Sequence, residues 1–98
     1  MSWSVYLARC ADRSLYCGIA VDVEARIAAH DAGVGARYTR GRGPLTLLLT
    51  RRCRDQGLAL SIERAIKSLT RAEKAALASA PAGLARLAAR VRRAKSRR

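Results

Sequence analysis

Residues 4–22 read SVYLARCADRSLYCGIAVD, and this stretch decides how the first part of the chain folds. Two short apolar runs stand on either side of a polar segment, residues 11–14, whose composition is typical of a turn. Within each run the side chains alternate with a period of two, as in a β-strand with two different faces. The stretch therefore predicts a β-hairpin that carries one tyrosine in each strand, Tyr6 and Tyr16.

The register of this hairpin decides whether the two tyrosines lie on the same face of the sheet. A loop of three or five residues pairs positions whose numbers have an even sum, which puts Tyr6 and Tyr16 on one face. The even register also collects the large apolar side chains on the opposite face: Val5, Leu7, Leu15, Cys17 and Ile19. We therefore predict the even register, with both tyrosines on a floor of alanine and glycine. Either helices pack on this floor with the hydroxyls at its rim, or the small residues leave room for a substrate.

The segment after the hairpin predicts a helix whose inward stripe contains two polar residues. Asp22 is the candidate N-cap, and the helix is expected to end at Gly33. Arg26 and His30 fall on the stripe that also holds the apolar residues of this helix. A long side chain at the rim of a buried face would explain one such residue. Two polar groups one turn apart favour a functional role.

The second half of the chain predicts one more strand and three helices. Residues 45–50 form an apolar run that indicates a third, buried strand. A second helix begins near residue 58, a capping box at residues 70–73 starts a third, and Pro81 marks the break before a fourth. The order β-β-α-β-α-α-α predicts an α+β fold, in which a small three-stranded antiparallel sheet is flanked by helices.

The charge of the chain indicates a polyanionic partner. Its 98 residues include 20 Lys and Arg against 7 Asp and Glu, a formal net charge of +13. Such a charge destabilises a compact domain by self-repulsion, and phosphate backbones are the commonest polyanions that offset it. No apolar run reaches transmembrane length and no signal-peptide pattern opens the chain, so we expect no membrane association.

The cysteine and histidine content favours a reducing compartment and argues against a zinc site. The three cysteines, Cys10, Cys17 and Cys53, are odd in number and contain no CxxC pair, which is typical of thiols in a cytosol. Because His30 is the only histidine, the ligand spacing of a zinc site is absent. We expect a cytoplasmic protein, with association with the nucleoid as a further expectation from its charge.

Glu63 is the acidic residue that stands out in the second helix, because it shares a stripe with apolar neighbours. Two interpretations are open. In the first, Glu63 forms an i,i+4 ion pair with Lys67, worth about 0.3 kcal/mol. In the second, Glu63 is a ligand of a divalent cation, in a chain that has few acidic residues.

The glycine-rich loop before the third strand is a candidate nucleic-acid contact. It reads GVGARYTRGRGP over residues 33–44. Its arginines suit phosphate contacts and its tyrosine suits base stacking, while the alternative is a solvated loop without a ligand. The residues assigned to nucleic-acid binding are Arg37, Tyr38, Arg40, Arg42 and, on the second helix, Lys67.

The ordered set of motifs resembles the GIY-YIG nuclease domain. The segments VYL, YCGIAVDVEARIAAH, GARYTRGRGPLTLL and SIERAIKSL follow the order of that family over roughly residues 3–77. The chain is most similar to the compact stand-alone bacterial members, and to the domain in the eukaryotic structure-specific endonuclease of that family. The resemblance implies that residues 1–80 form a nuclease domain and that residues 81–98 are a basic C-terminal helix and tail.

The resemblance implies a metal-dependent endonuclease that hydrolyses phosphodiester bonds in DNA, with Mg²⁺ or Mn²⁺ as cofactor and structure-specific cleavage as one expectation. Tyr6 and Tyr16 would be its paired tyrosines, one of which deprotonates or positions the attacking water. Arg26 would hold the scissile phosphate, and Glu63 would bind the metal. His30 would assist as a base or as a donor to the phosphate.

Departures from the family pattern keep a second hypothesis open. The chain has no Asn, which many members carry after the glutamate, and Ile19 stands where some members have Lys. We also expect no accessory targeting domain. The alternative is a DNA- or RNA-binding module that has the fold but cleaves weakly or not at all. A protein partner that supplies substrate targeting is a further expectation.

Overall fold

The computed structural model describes residues 2–34 and 41–96, and its elements follow the predicted order. The strands are β1 (Trp3–Arg9), β2 (Leu15–Ala20) and β3 (Thr46–Cys53). The helices are α1 (Val23–Asp31), α2 (Gln56–Lys67), α3 (Arg71–Ser79) and α4 (Ala82–Ser96). The α+β prediction is confirmed, since one antiparallel sheet carries helices on both of its faces.

The hairpin has the even register. The sheet order is β2-β1-β3, and in the β1–β2 ladder Tyr6 lies opposite Gly18 while Leu7 lies opposite Cys17. The strands are joined by residues 10–14, in which the Cys10 amide donates to the Ser14 carbonyl at 2.8 Å. The aliphatic pattern of the sequence therefore identified the register correctly, and both tyrosines point to the same side of the sheet.

The two faces of the sheet build two separate cores. One face packs against α2, α3 and α4, and its buried residues include Val5, Leu7, Ile62, Ile66, Leu77 and Leu87. The other face is covered by α1, and its buried residues are Tyr6, Ala8, Cys10, Ala20 and Leu45. The two tyrosines therefore lie under α1, whereas α2 lies mainly on the opposite side.

The prediction of a fully buried third strand was wrong. Strand β3 begins one residue later than expected and continues to Cys53. Its burial is irregular: Leu49 is 9% exposed, whereas Leu47, two residues earlier, is 40% exposed, on either side of the register shift in the β1–β3 ladder. The reason is position in the sheet, because β3 is an edge strand that pairs with β1 alone. One of its faces is therefore covered less completely than an all-apolar run suggests.

Side-chain caps fix where the helices begin. Asp22 Oδ1 accepts from the Ala25 amide at 3.0 Å, as predicted for α1. Asp55 Oδ1 accepts from the Leu58 amide at 2.8 Å, and this cap starts α2 at Gln56, earlier than the apolar periodicity indicated. At α3, Thr70 and Glu73 form the predicted capping box.

Helix α4 extends to Ser96, so most of the predicted basic helix and tail is helical. Leu84, Leu87 and Ala88 anchor it in the core that also contains α2. The Lys95 ammonium donates to Ser61 Oγ of α2 at 3.1 Å, which holds the last turn against α2. The predicted domain boundary after residue 80 stays a prediction.

Candidate active site

Tyr6 occupies the middle of the central strand and is fully buried, with 0% exposure. Its hydroxyl shares a hydrogen bond of 2.9 Å with His30 Nε2, and the imidazole tautomer determines which group donates. Burial, and next the neighbouring Tyr16, raise the pKa of Tyr6 to about 12, although the Arg26 guanidinium opposes this rise. Tyr6 is therefore a neutral phenol at physiological pH.

Gly18 provides the space for the Tyr6 side chain. A Cβ atom at position 18 would lie 2.7 Å from the Tyr6 hydroxyl oxygen and 2.8 Å from its Cζ. The small-residue floor is therefore filled by the ring of Tyr6 and closed by α1. The structure therefore supports the first interpretation of this floor, in which a helix packs on it. The Tyr6 hydroxyl is buried beneath the helix, where the prediction had placed it at the rim.

His30 is the buried polar residue of α1, with 2% exposure. Burial, and then the charge of Arg26, lower the pKa of His30, so its imidazole is neutral near pH 7. Its ring lies edge-on to Tyr16 with the centroids 5.0 Å apart. The inward direction predicted for Arg26 and His30 agrees with these contacts, because both approach the tyrosines from α1.

Tyr16 differs from Tyr6 because it is only partly buried and lines a pocket. The pocket has a volume of about 270 Å³, and the charged residues in its wall are Lys67 and Lys74. Burial raises the pKa of Tyr16, while the positive charges of Lys67 and Arg26 act in the opposite direction. Tyr16 therefore presents a phenol to an open, positively charged space.

Glu63 lies close enough to the edge of β2 to influence both Tyr16 and Cys17. Its negative charge raises the pKa of both groups, after the larger effect of burial. Its carboxylate is 3.5 Å from the Lys67 ammonium, and the Glu63 side chain is 15% exposed. The predicted i,i+4 pair with Lys67 is therefore present, and Lys67 also lines the Tyr16 pocket.

The donor set around Glu63 is sparse. In residues 2–34 and 41–96, no group of three or more His, Cys, Asp or Glu side chains is arranged to hold a metal ion. Mg²⁺ is nevertheless often held by one or two carboxylates, substrate phosphates and several waters. The single carboxylate of Glu63 fits that mode, in which substrate phosphate and waters would complete the ligand set, and does not fit a cation bound wholly by protein ligands.

Other predicted site residues lie elsewhere. Arg42 contacts the hairpin turn, where its Nη1 lies 2.8 Å from Asp12 Oδ2 and 3.2 Å from Ser14 Oγ. Three residues assigned to nucleic-acid binding, Arg37, Tyr38 and Arg40, lie outside the described residues.

Lys74 was missed by sequence reasoning, although it stands in the same pocket wall as Tyr16. The capping box fixed where α3 begins, but local periodicity carries no signal of which strand this helix approaches.

Known proteins resemble this chain over most of its length. Residues 2–76 match the family model described as the GIY-YIG catalytic domain. A UPF0213 protein of Natronomonas pharaonis is 48% identical over 79 residues, which cover 81% of this chain and 93% of that protein. The UPF0213 protein YhbQ of Escherichia coli K12 is 45% identical over 85 residues, which cover 87% of this chain and 85% of that protein.

A solved structure is also similar. The solution NMR structure of a UPF0213 protein from Bacillus halodurans is 42% identical to this chain, with a TM-score of 0.53. The similarity covers 81% of this chain and 84% of that one. The likeness therefore extends to sequence and fold together, and residues 2–76 contain all five candidate catalytic residues.

Proposed function

The chain belongs to the GIY-YIG catalytic-domain family, and on that basis we propose that it is a metal-dependent endonuclease acting on DNA. One observation carries this proposal. Tyr6, Tyr16, Arg26, His30 and Glu63 come from four elements and lie around the β1–β2 ladder. The Arg26 charge lowers the pKa of Tyr6, Tyr16 and His30, and the Glu63 charge raises the pKa of Tyr16, in each case beside the larger effect of burial. A chain of net charge +13 supplies the attraction for the phosphate backbone.

The two tyrosines have different parts in this proposal. Tyr16 contacts the attacking water or the reacting phosphate, which is supported by its position in an open pocket. Tyr6 acts as a positioning residue, since its hydroxyl is buried and bonded to His30. Its pKa of about 12 also argues against Tyr6 as the base at neutral pH.

Arg26 binds the phosphate in this scheme. Its positive charge lowers the pKa of both tyrosines relative to burial alone, so it lies close to both hydroxyls. An arginine at that place neutralises the charge that develops on the phosphoryl oxygens. The neutral imidazole of His30 keeps the Tyr6 hydroxyl in place and adds no competing charge.

Glu63 is the proposed ligand of Mg²⁺ or Mn²⁺. When bound, the metal would polarise the phosphoryl oxygen and lower the pKa of a bound water. Lys67 holds the carboxylate in the absence of substrate, at 3.5 Å. A substrate phosphate bound by Lys67 would leave the Glu63 carboxylate available to hold the metal.

A second candidate function, a nucleic-acid-binding module with little or no cleavage, is favoured by one observation. Tyr6, one of the two paired tyrosines, is buried as a core residue. Both functions predict salt-sensitive binding, but only the nuclease predicts metal-dependent cleavage.

A cleavage assay separates the two functions. Nicked, branched and single-stranded DNA, with RNA in parallel, are incubated with Mg²⁺, Mn²⁺ or EDTA. The diagnostic variant is Glu63→Gln, and the matched control is Glu24→Gln, an exposed carboxylate in the first turn of α1. We expect cleavage with metal, loss of at least 100-fold in Glu63→Gln as for removal of one electrostatic catalytic group, and no loss in the control.

Cleavage that survives Glu63→Gln or EDTA would contradict the assignment of the metal site. Binding of DNA without cleavage by the wild type would favour the module. The protein partner for targeting and the cytoplasmic location stay predictions. Among residues 2–34 and 41–96, no helix is long and apolar enough to cross a membrane.

A further inference from the structure

A row of basic side chains begins at the Tyr16 pocket. Lys67 and Lys74 line this pocket together with Leu15. Leu15 also lines a second pocket of about 430 Å³, whose basic residues are Arg9, Arg13 and Arg71. The two pockets are therefore neighbours that share one wall. We call the five basic residues the basic track: Lys67, Lys74, Arg71, Arg13 and Arg9.

Helix α3 connects the two ends of the track. Arg71 and Lys74 are three residues apart, so they project from the same side of the helix. The Arg71 guanidinium donates to the Arg13 carbonyl oxygen at 2.8 Å, which fixes the start of α3 against the hairpin turn. Arg71 is thus bonded to the backbone of Arg13, and both residues line the second pocket.

Glu63 pairs with Lys67 at the pocket end of the track, whereas the carboxylates near its other end are engaged elsewhere. Asp12 of the hairpin turn pairs with Arg42 at 2.8 Å, and Glu73 of α3 accepts from the Thr70 amide at 2.8 Å. Within the part of the chain that the structure describes, Arg9, Arg13 and Arg71 form no ion pair with a carboxylate.

Helix stability does not explain Arg71, because a positive side chain in the first turn of α3 opposes the helix dipole. Lys67, in the last turn of α2, is favoured by that dipole. A polyanion that runs along the track would compensate its positive charges.

We infer that the basic track is a binding surface for a DNA strand that leaves the Tyr16 pocket over Leu15 and continues along α3 to the hairpin turn. This inference rests on the proposed function, because it takes the Tyr16 pocket as the place of the reacting phosphate. Three exposed arginines suit successive phosphates, since each guanidinium donates bidentate hydrogen bonds to phosphate oxygens. The track directs the strand on one side of the cleavage point and needs no base-specific contact.

Equilibrium binding in EDTA tests the inference without requiring cleavage. The probe is a fluorescein-labelled DNA duplex of about 20 base pairs, roughly two helical turns, measured by anisotropy over a series of salt concentrations. The diagnostic variant is Arg13→Gln/Arg71→Gln, and the matched control is Arg92→Gln/Arg93→Gln, two exposed arginines of α4. Both variants remove two charges, so they change the overall electrostatic attraction equally.

We expect the track variant to reduce the slope of log K against log salt by about 0.9 for each lost phosphate contact, or about 1.8 in total. The control should leave the slope close to that of the wild type. An equal reduction in both variants would overturn the inference, because it would mean attraction by net charge alone. An unchanged slope in both, or no binding of the duplex by the wild type, would overturn it as well.

Folding is checked by thermal unfolding of every variant. If the double variant does not fold, the single variants Arg9→Gln and Lys74→Gln are measured in the same way, each with an expected slope change of about 0.9. A wild type that binds through the track but does not cleave with Mg²⁺ or Mn²⁺ would refute the proposed nuclease function and leave this inference standing. Cleavage by the wild type, together with unaltered salt slopes in the track variants, would support the proposed nuclease function and refute this inference.

Discussion

Gly18→Ala is the substitution that most directly tests how the tyrosine face is built. The added Cβ would lie 2.7 Å from the Tyr6 hydroxyl oxygen, 2.8 Å from its Cζ and 3.1 Å from Tyr16 Cε2. These distances are several tenths of an ångström shorter than ordinary contacts between such atoms. Tyr6 is fully buried and bonded to His30 at 2.9 Å, so its ring has no free direction in which to move.

The cost follows from three contributions. Overpacking in a filled core costs about 1–3 kcal/mol, and a weakened hydrogen bond between Tyr6 and His30 costs about 1 kcal/mol. The reduced entropy of the unfolded chain returns about 0.4–1 kcal/mol, as for any Gly→Ala change. We expect a net loss of about 2 kcal/mol in the free energy of unfolding. In a domain of this size the midpoint of thermal unfolding then falls by roughly 10 °C.

The assay is urea and thermal unfolding followed by far-UV circular dichroism, with Gly57→Ala as the matched control. Gly57 lies in the first turn of α2, where an added Cβ would be 3.5 Å from the nearest atom, Asp55 Oδ1. The control should therefore be neutral, or more stable by up to about 1 kcal/mol.

A double-mutant cycle identifies the cause of the loss. Tyr6→Phe removes the atom nearest to the added methyl group, so Gly18→Ala should cost less in that background, with a coupling of about 1 kcal/mol. The description of the tyrosine face would be refuted if Gly18→Ala were as harmless as Gly57→Ala. Strict additivity with Tyr6→Phe would show that the loss does not arise at the hydroxyl.

Three other predictions concern the same face and α3. Folding lowers the pKa of His30, so as the pH falls the unfolded chain is protonated at His30 before the folded chain is. The contribution of neutral His30 to the free energy of unfolding is therefore fully present above about pH 6.5 and decreases as the pH falls below it. His30→Gln should flatten this decrease between pH 7 and 5 by at most about 1.4 kcal/mol per pH unit, and an unaltered pH profile of unfolding would exclude His30 as its source. Thr70→Ala should destabilise the protein by about 1 kcal/mol in urea unfolding, because it removes the acceptor for the Glu73 amide at 3.1 Å; a change below about 0.3 kcal/mol would mean that the cap does not contribute. Tyr16→Phe should lower the cleavage rate by about 100-fold or more, and Tyr6→Phe should lower stability more than Tyr16→Phe does, because the Tyr6 hydroxyl is buried and bonded to His30. The reverse pattern would exchange their proposed parts.

Much of the fold was readable because its determinants are local. The alternation of large and small side chains identified the register and the shared face of Tyr6 and Tyr16. Asp22 and the capping box at Thr70 marked two helix starts because a cap depends on residues only three positions apart. Where a strong cap was overlooked, at Asp55, the beginning of α2 was misjudged.

The candidate site was readable only in part, because its residues come from elements far apart in the chain. Arg26 and His30 were found as polar residues in an apolar stripe, and Glu63 by the same signal. Lys74 gave no such signal, because a lysine on an exposed helix face is common. Its place in the pocket wall depends on how α3 packs near β2. The burial of β3 was overestimated because composition does not report which strand lies at the edge.

The sequence by itself determined which side chains share a face, since strand and helix periodicity fix side-chain direction without reference to the rest of the chain. It also determined the excess of positive charge that calls for a polyanion. Only the tertiary structure decided that α1 covers the tyrosine face, that the ring of Tyr6 fills the space left by Gly18, and that Tyr16 alone of the pair reaches an open pocket. The physical reason is that burial and pocket shape arise from packing between distant elements, which no local period encodes.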